Sequence, residues 1–270
     1  MSTHASGRTQ AANRFPAGAF SPAPRPAPIT TILAAQSRLE LKLLLRNGEQ
    51  LLLTMFIPIT VLIGLSLLPV DTGLGATVGE RADVMVPAIM TVAIMSTAFT
   101  SLAIATGFER RYGVIKRLGA SPLPRSGLLM GKVGALLLVE ALQVVVIGAV
   151  AFAFGWDPSP DVLGFLLAVV TGTAAFASLG LFLAGVLRAE ATLAAANLVY
   201  LLLLAGGAVV LPISAYGAFG DVVRWLPSGA LGSAMRAALI DGVTSWRDLL
   251  VLCGWAAVGT TLTARTFKWE

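Results

Sequence analysis

Long apolar runs separated by short polar islands set the pattern of this chain, and six of those runs approach the length needed to cross a bilayer. A transmembrane helix takes roughly 20 predominantly apolar residues to span a hydrocarbon core about 30 Å thick. Residues 51–69 are free of charge, with Pro58 inside them as an expected kink, and residues 84–107 are free of charge with Pro87 near one end. Residues 133–154 carry one charge, Glu140. Residues 162–187 and 191–212 are charge-free and joined by a very short turn around Arg188 and Glu190, which makes them antiparallel neighbours. The last run, 249–264, is short; Trp246 and Arg247 before it, with Lys268 and Trp269 after it, are expected to anchor it at the two interfaces. The fold class this predicts is an all-α integral membrane protein with six transmembrane helices.

The segments around the spans follow the same logic. Over residues 30–50, Ile32, Ala35, Leu39 and Leu43 form an apolar stripe at helical spacing, while Arg38, Lys42 and Arg46 supply cations. That suits an N-terminal helix lying in the headgroup region, and it also reads as the cytoplasmic end of the first span. Residues 1–28 carry Pro16, Pro22, Pro24, Pro26 and Pro28 among small residues and read as a disordered cytoplasmic tail, with no apolar core of the kind a signal peptide has. Residues 29–270 read as one helical-bundle domain without internal repeats. Between the fifth and sixth spans, residues 214–245 are too apolar for a free loop. Tyr216, Phe219, Val222, Val223, Trp225 and Leu226 precede a break at Pro227, Ser228 and Gly229, and Leu231, Met235 and Leu239 follow it. Two short outer helices, re-entrant or interfacial, are expected there.

Composition sharpens this picture. The 270 residues are 56% hydrophobic and only 12% charged, and mean hydropathy is +0.83, whereas charged residues approach about a quarter of a soluble domain. Of the Lys and Arg residues, fifteen fall on one set of loops and four on the other, so the positive-inside rule places both termini in the cytoplasm. The cations lie beside apolar spans, which favours lipid headgroups over nucleic acid as their partners. With one cysteine, Cys253, and one histidine, His4, the chain has no constellation for a metal site or histidine chemistry.

The chemistry-bearing stretch is the basic island at residues 107–132, GFERRYGVIKRLGASPLPRSGLLMGK, with six Lys or Arg against Glu109. Val114, Ile115 and Leu118 make a small apolar face flanked by Lys116 and Arg117, and Gly119, Pro122 and Pro124 end any helix there. At its far end, GLLMGKV is one residue short of a phosphate-binding loop and has Val133 where a magnesium-binding hydroxyl is required. If ATP is used, another chain binds it. Within the spans, Glu140 sits about eight residues into the third, with Gln143 on the same face; an interhelical hydrogen bond made by a protonated acid is favoured over a proton relay. Asn197 and Tyr200, with Gly206 and Gly207, could line a substrate path or serve helix packing. Met55, Phe56, Met90, Met95 and Phe99 could form an adaptable apolar surface for bulky ligands, although Met and Phe in spans ordinarily face lipid or core. Phe56, Met95, Glu140, Gln143, Asn197 and Tyr200 are the candidate path residues.

Glu109-Arg110-Arg111-Tyr112-Gly113, then Leu118 and Ser121-Pro122, with Gly131-Lys132 at the head of the next span, resemble the loop of type-2 ATP-binding-cassette exporter permeases. Actinobacterial drug-efflux permeases look most similar, and the likeness extends over residues 30–268, including WLPSGALGSAMRAAL before the last span. The resemblance implies a dimer of permeases, identical or not, in the plasma membrane, with the first and fifth spans at its seam. It also implies two cytoplasmic ATPase subunits holding ATP and Mg, so the chain itself carries neither enzyme chemistry nor cofactor. Glu109, Arg110, Arg111, Tyr112, Gly113, Val114, Ile115, Lys116, Arg117 and Leu118 would then form the coupling helix that docks in the ATPase. Many family members have further acids where Arg111 and Lys116 stand here. The implied cargo is an amphipathic drug or lipid, with polysaccharide and haem export as family alternatives. A proton-coupled secondary transporter acting through Glu140 is the rival from outside the family.

Overall fold

The computed structural model describes residues 28–46, 56, 58–64, 67, 77–119 and 125–267, and every regular element among them is helical. Five helices among the described residues are long and apolar enough to cross a membrane. The chain is thus a multi-pass membrane protein. The first expected span, 51–69, lies mostly outside the described residues; within it 56, 58–64 and 67 are helical. The tail at 1–27 lies outside them as well.

Helix α1 (Ile29–Arg46) precedes these spans. Its apolar stripe does not face the protein. Leu39 and Leu43 are exposed, whereas Gln36 and Glu40 are buried. The side of α1 turned to the bundle is polar, and its apolar side is exposed.

The next rod is α2 (Val78–Ile94), a wide-turn π segment (Met95–Ser101) and α3 (Leu102–Arg111) without interruption. Its start is fixed by a capping box: the Glu80 amide donates to Thr77 Oγ1 at 3.2 Å, and the Thr77 amide donates to the Glu80 carboxylate at 3.3 Å. The rod has 34 residues, about 50 Å at about 1.5 Å per residue, which is longer than a bilayer core of about 30 Å. A turn at Tyr112 and Gly113 leads into the short α4 (Val114–Gly119).

Three more spans follow: α5 (Arg125–Ala153), α6 (Val162–Val186) and α7 (Ala189–Gly206). Only Leu187 and Arg188 separate α6 from α7, as the short turn in the sequence requires. Helix α6 is the hub, packing on α10, α9, the π segment and α3. Phe176 in its middle is fully buried and meets Phe99 edge to face, with centroids 6.3 Å apart, a favoured aromatic geometry.

The segment between α7 and the last span contains a 3-10 turn (Ile213–Phe219), α8 (Gly220–Val223) and α9 (Pro227–Leu239), which starts on a proline as first turns tolerate. Ala230, Leu231, Ala234, Met235, Ala238 and Leu239 bury α9 among its neighbours. The Arg236 guanidinium donates to the Ala208 and Val209 carbonyls at 2.9 and 3.0 Å, tying α9 to the end of α7. Helix α10 (Trp246–Thr266) closes the bundle along α6.

Candidate functional site

Charge and burial converge at the end of the bundle formed by α4, the α6–α7 turn and the C-terminal end of α10. The stretch from Glu109 to Leu118 is not one helix. Glu109, Arg110 and Arg111 finish α3, and Gly113 breaks the axis with φ +68, a conformation that side chains with a Cβ resist. A new axis begins at Val114.

The two halves of this stretch have different duties. Lys132, only 4% exposed at its side chain, places its ammonium 2.8 Å from the Glu109 carboxylate and 3.2 Å from that of Glu40. Gln36 Nε2 donates to Glu40 at 2.9 Å. This group pins α1 and α5 to the end of α3. The approach of α1 is close: a Cβ on Gly134 would lie 2.6 Å from Ser37 Oγ, so a small residue is required there. Arg110 donates to the Ala184 and Leu187 carbonyls and lies 5.7 Å from the Phe267 ring centroid. It thereby satisfies carbonyls that the end of α6 leaves open. Arg111 pairs with Glu190 at the start of α7.

From Tyr112 onward most of the described side chains of this stretch turn outward. Tyr112 is 63% exposed and stacks on Phe108 at 6.1 Å; Val114, Lys116 and Arg117 are exposed, and Arg117 reaches the Tyr112 carbonyl at 3.4 Å. Ile115 is buried and holds α4 to the bundle. The side chain of Leu118 lies outside the described residues. What remains available is a compact surface of one aromatic, one aliphatic and two cationic side chains.

The candidate path residues divide between interior and surface. Met95, Glu140 and Gln143 are buried, and Gln143 exchanges hydrogen bonds with Thr97 of the π segment at 3.1 and 3.3 Å. Glu140 is 1% exposed and bonds to Thr173 of α6 at 2.5 Å, while the same hydroxyl lies 2.7 Å from the Val169 carbonyl. The other Glu140 carboxyl oxygen is buried without a hydrogen-bond partner among the described residues. Phe56 and Asn197 face outward, Asn197 Nδ2 donating to the Leu193 carbonyl of its own helix at 3.0 Å, and Tyr200 is half-buried. Of the other two methionines singled out, Met90 is buried and Met55 lies outside the described residues.

Sequence reasoning missed Glu40 and Gln36 as parts of the site and treated Lys132 as a failed phosphate loop. The signal was present: Gln36 and Glu40 are four apart, opposite the apolar stripe, so they share a helix face that needs a polar partner. Among the described residues no group of three or more His, Cys, Asp or Glu could hold a metal ion.

Comparison with known proteins places these features in a lineage. The chain is 25% identical over 226 residues to a Bacillus subtilis (strain 168) protein named "Putative transport permease YvfS", covering 82% of this chain and 91% of that one. Residues 70–265 match the family described as ABC-2 family transporter protein, a stretch that takes in the five described spans but for the last residue of α10, with α4, α8 and α9. This chain belongs to the ABC-2 family of transporter proteins.

Proposed function

We propose that this transport permease is driven by a separate cytoplasmic ATPase that grips the surface formed by Tyr112, Val114, Lys116 and Arg117. The observation that carries this reading is the division of labour at Gly113. Arg110 and Arg111 before it are engaged by the bundle, and Val114, Lys116 and Arg117 after it are left exposed on a short helix rooted in a span. A push on α4 reaches Glu109 and Arg110 within one turn of α3, and through them α1, α5 and α6. Such a lever can bias the bundle between two access states, which is all that ATP binding elsewhere needs to do.

The assembly is six spans per chain with both termini cytoplasmic, in the plasma membrane, paired with a second permease, and with ATP and Mg held by the ATPase. Exposure of α7 supports the pairing. Only Ala189, Thr192 and Ala196 of that helix are buried, while Leu193, Asn197, Leu198, Leu201 and Leu202 are exposed. A polar Asn197 on a lipid face is unfavourable and gains from being covered. The cargo is an amphipathic drug or lipid. The test is co-purification in mild detergent. The intact chain should bring down an ATP-binding-cassette ATPase, and the Tyr112→Ala/Lys116→Ala/Arg117→Ala variant should lose it while keeping the same melting temperature. Undiminished capture by that variant would refute the assignment.

A further inference from the structure

We propose that the basic end of the bundle holds a binding site for one anionic phospholipid, with its phosphate among Arg188, Arg265, Arg110 and Arg111 and an acyl chain in the groove behind Phe267. Two adjoining concavities carry this. The first, about 880 Å³, is bounded by the end of α3, the α6–α7 turn and the end of α10; four arginines line it against one acid, Glu190. The second, about 680 Å³, runs between α5, α6 and α10 along Met130, Leu137, Ala174, Leu181, Thr260 and Ala264. Phe267 is a wall of both. Each volume lies in the usual ligand range of about 300–1,000 Å³.

The chemistry of the two halves differs as the two ends of a lipid differ. In the first, Arg110 is committed to backbone carbonyls and Arg111 to Glu190. Arg188 and Arg265 are exposed and have no carboxylate partner among the described residues. The excess charge calls for an anion, and guanidinium groups suit phosphate oxygens. In the second, the buried hydroxyls are already spent: Ser178 Oγ donates to the Ala175 carbonyl at 2.8 Å and Thr263 Oγ1 to the Ser178 carbonyl at 3.0 Å. What the groove offers is apolar surface along three membrane-spanning helices, at the depth where acyl chains lie. An acidic loop of a protein partner would satisfy the arginines but has no use for the groove. A phospholipid fills both.

The experiment uses the purified full-length chain in neutral detergent and reads lipid retention by native mass spectrometry. Phosphatidylglycerol and phosphatidylcholine of identical chains are the probes, and glycerophosphate is the headgroup without a chain. The intact chain should retain one phosphatidylglycerol in preference to phosphatidylcholine. The Arg188→Gln/Arg265→Gln variant should lose about 20-fold to 30-fold of that preference, at about fivefold per charge near the headgroups, while an unchanged melting temperature reports an intact fold. Filling the groove with Thr260→Leu/Ala264→Leu should weaken both lipids and leave the weak glycerophosphate signal alone. Equal retention of the two lipids by the intact chain overturns the proposal, as does glycerophosphate binding as tight as phosphatidylglycerol. An arginine variant that keeps its lipid preference also overturns it. The readout needs no ATPase and no cargo, so it stands apart from the transport reading.

Discussion

Replacing Lys132 by Met removes the one cation that Glu40 and Glu109 share. In the native chain the ammonium sits 3.2 and 2.8 Å from the two carboxylates, and its side chain is 4% exposed against 11% and 23% for theirs. Without it, two carboxylates face each other in a largely desolvated seam. Breaking a buried pair on one side costs about 3–5 kcal/mol, and partial access of Glu109 to water favours the lower figure. At roughly 2–4 °C per kcal/mol for a chain of this size, the melting temperature falls by about 6–12 °C. Unfolding in detergent, followed by fluorescence of the five tryptophans, measures it. The decisive control is Glu40→Gln/Lys132→Met/Glu109→Gln, which keeps the packing and removes the repulsion, and should recover most of the loss. If Lys132→Met melts within about 2 °C of the native chain, or the triple variant is no better than the single, the three residues do not form a buried ionic unit.

Other consequences follow from single contacts. Arg110→Lys should destabilise nearly as much as Arg110→Ala, about 2–3 kcal/mol, because a point cation cannot bridge the Ala184 and Leu187 carbonyls; chemical denaturation of the two variants tests this. Gly134→Leu should displace α1 at a cost of about 1–3 kcal/mol, seen as new protease cleavage near α1, and unchanged protection would contradict the close packing on Ser37. Asp161, whose carboxylate accepts from Thr244, is held below the usual aspartate range by that bond and then by the Gly164 amide. A depressed folded pKa gives stability that is present above the unfolded value and is lost as pH falls through the folded one. Stability should therefore decline below about pH 4, and Thr244→Val should flatten that decline in an acid titration.

The spans were legible because a run of charge-free residues long enough to cross a bilayer has few other folds open to it; 162–187, read as a span, is α6 at Val162–Val186. The turn at Arg188 was legible for the same reason, since two such runs so close must reverse. Less was legible where partners come from different helices. Glu40, Glu109 and Lys132 lie far apart in the chain, and no periodicity in α1, α3 or α5 says that their ends meet. Lys132 looked like a phosphate-loop remnant because its partners were invisible. The island's basic character was plain, but composition weighs Arg110 and Lys116 alike. Only the geometry separates a guanidinium buried against carbonyls from an ammonium left at the surface. Glu140 was the reverse case: a lone acid deep in a span has few states open to it, so an interhelical hydrogen bond is the favoured expectation, and Thr173 stands as the partner.

The most direct test of an ATP-driven permease is uptake of a fluorescent lipophilic cation into proteoliposomes holding this chain with its ATPase, with ATP supplied on the ATPase side. ATP coupling through α4 predicts accumulation that requires ATP and the second subunit, falls at least tenfold in Lys116→Ala/Arg117→Ala, and persists in Glu140→Gln. Accumulation driven by a pH gradient with this chain alone, and abolished by Glu140→Gln, would contradict it.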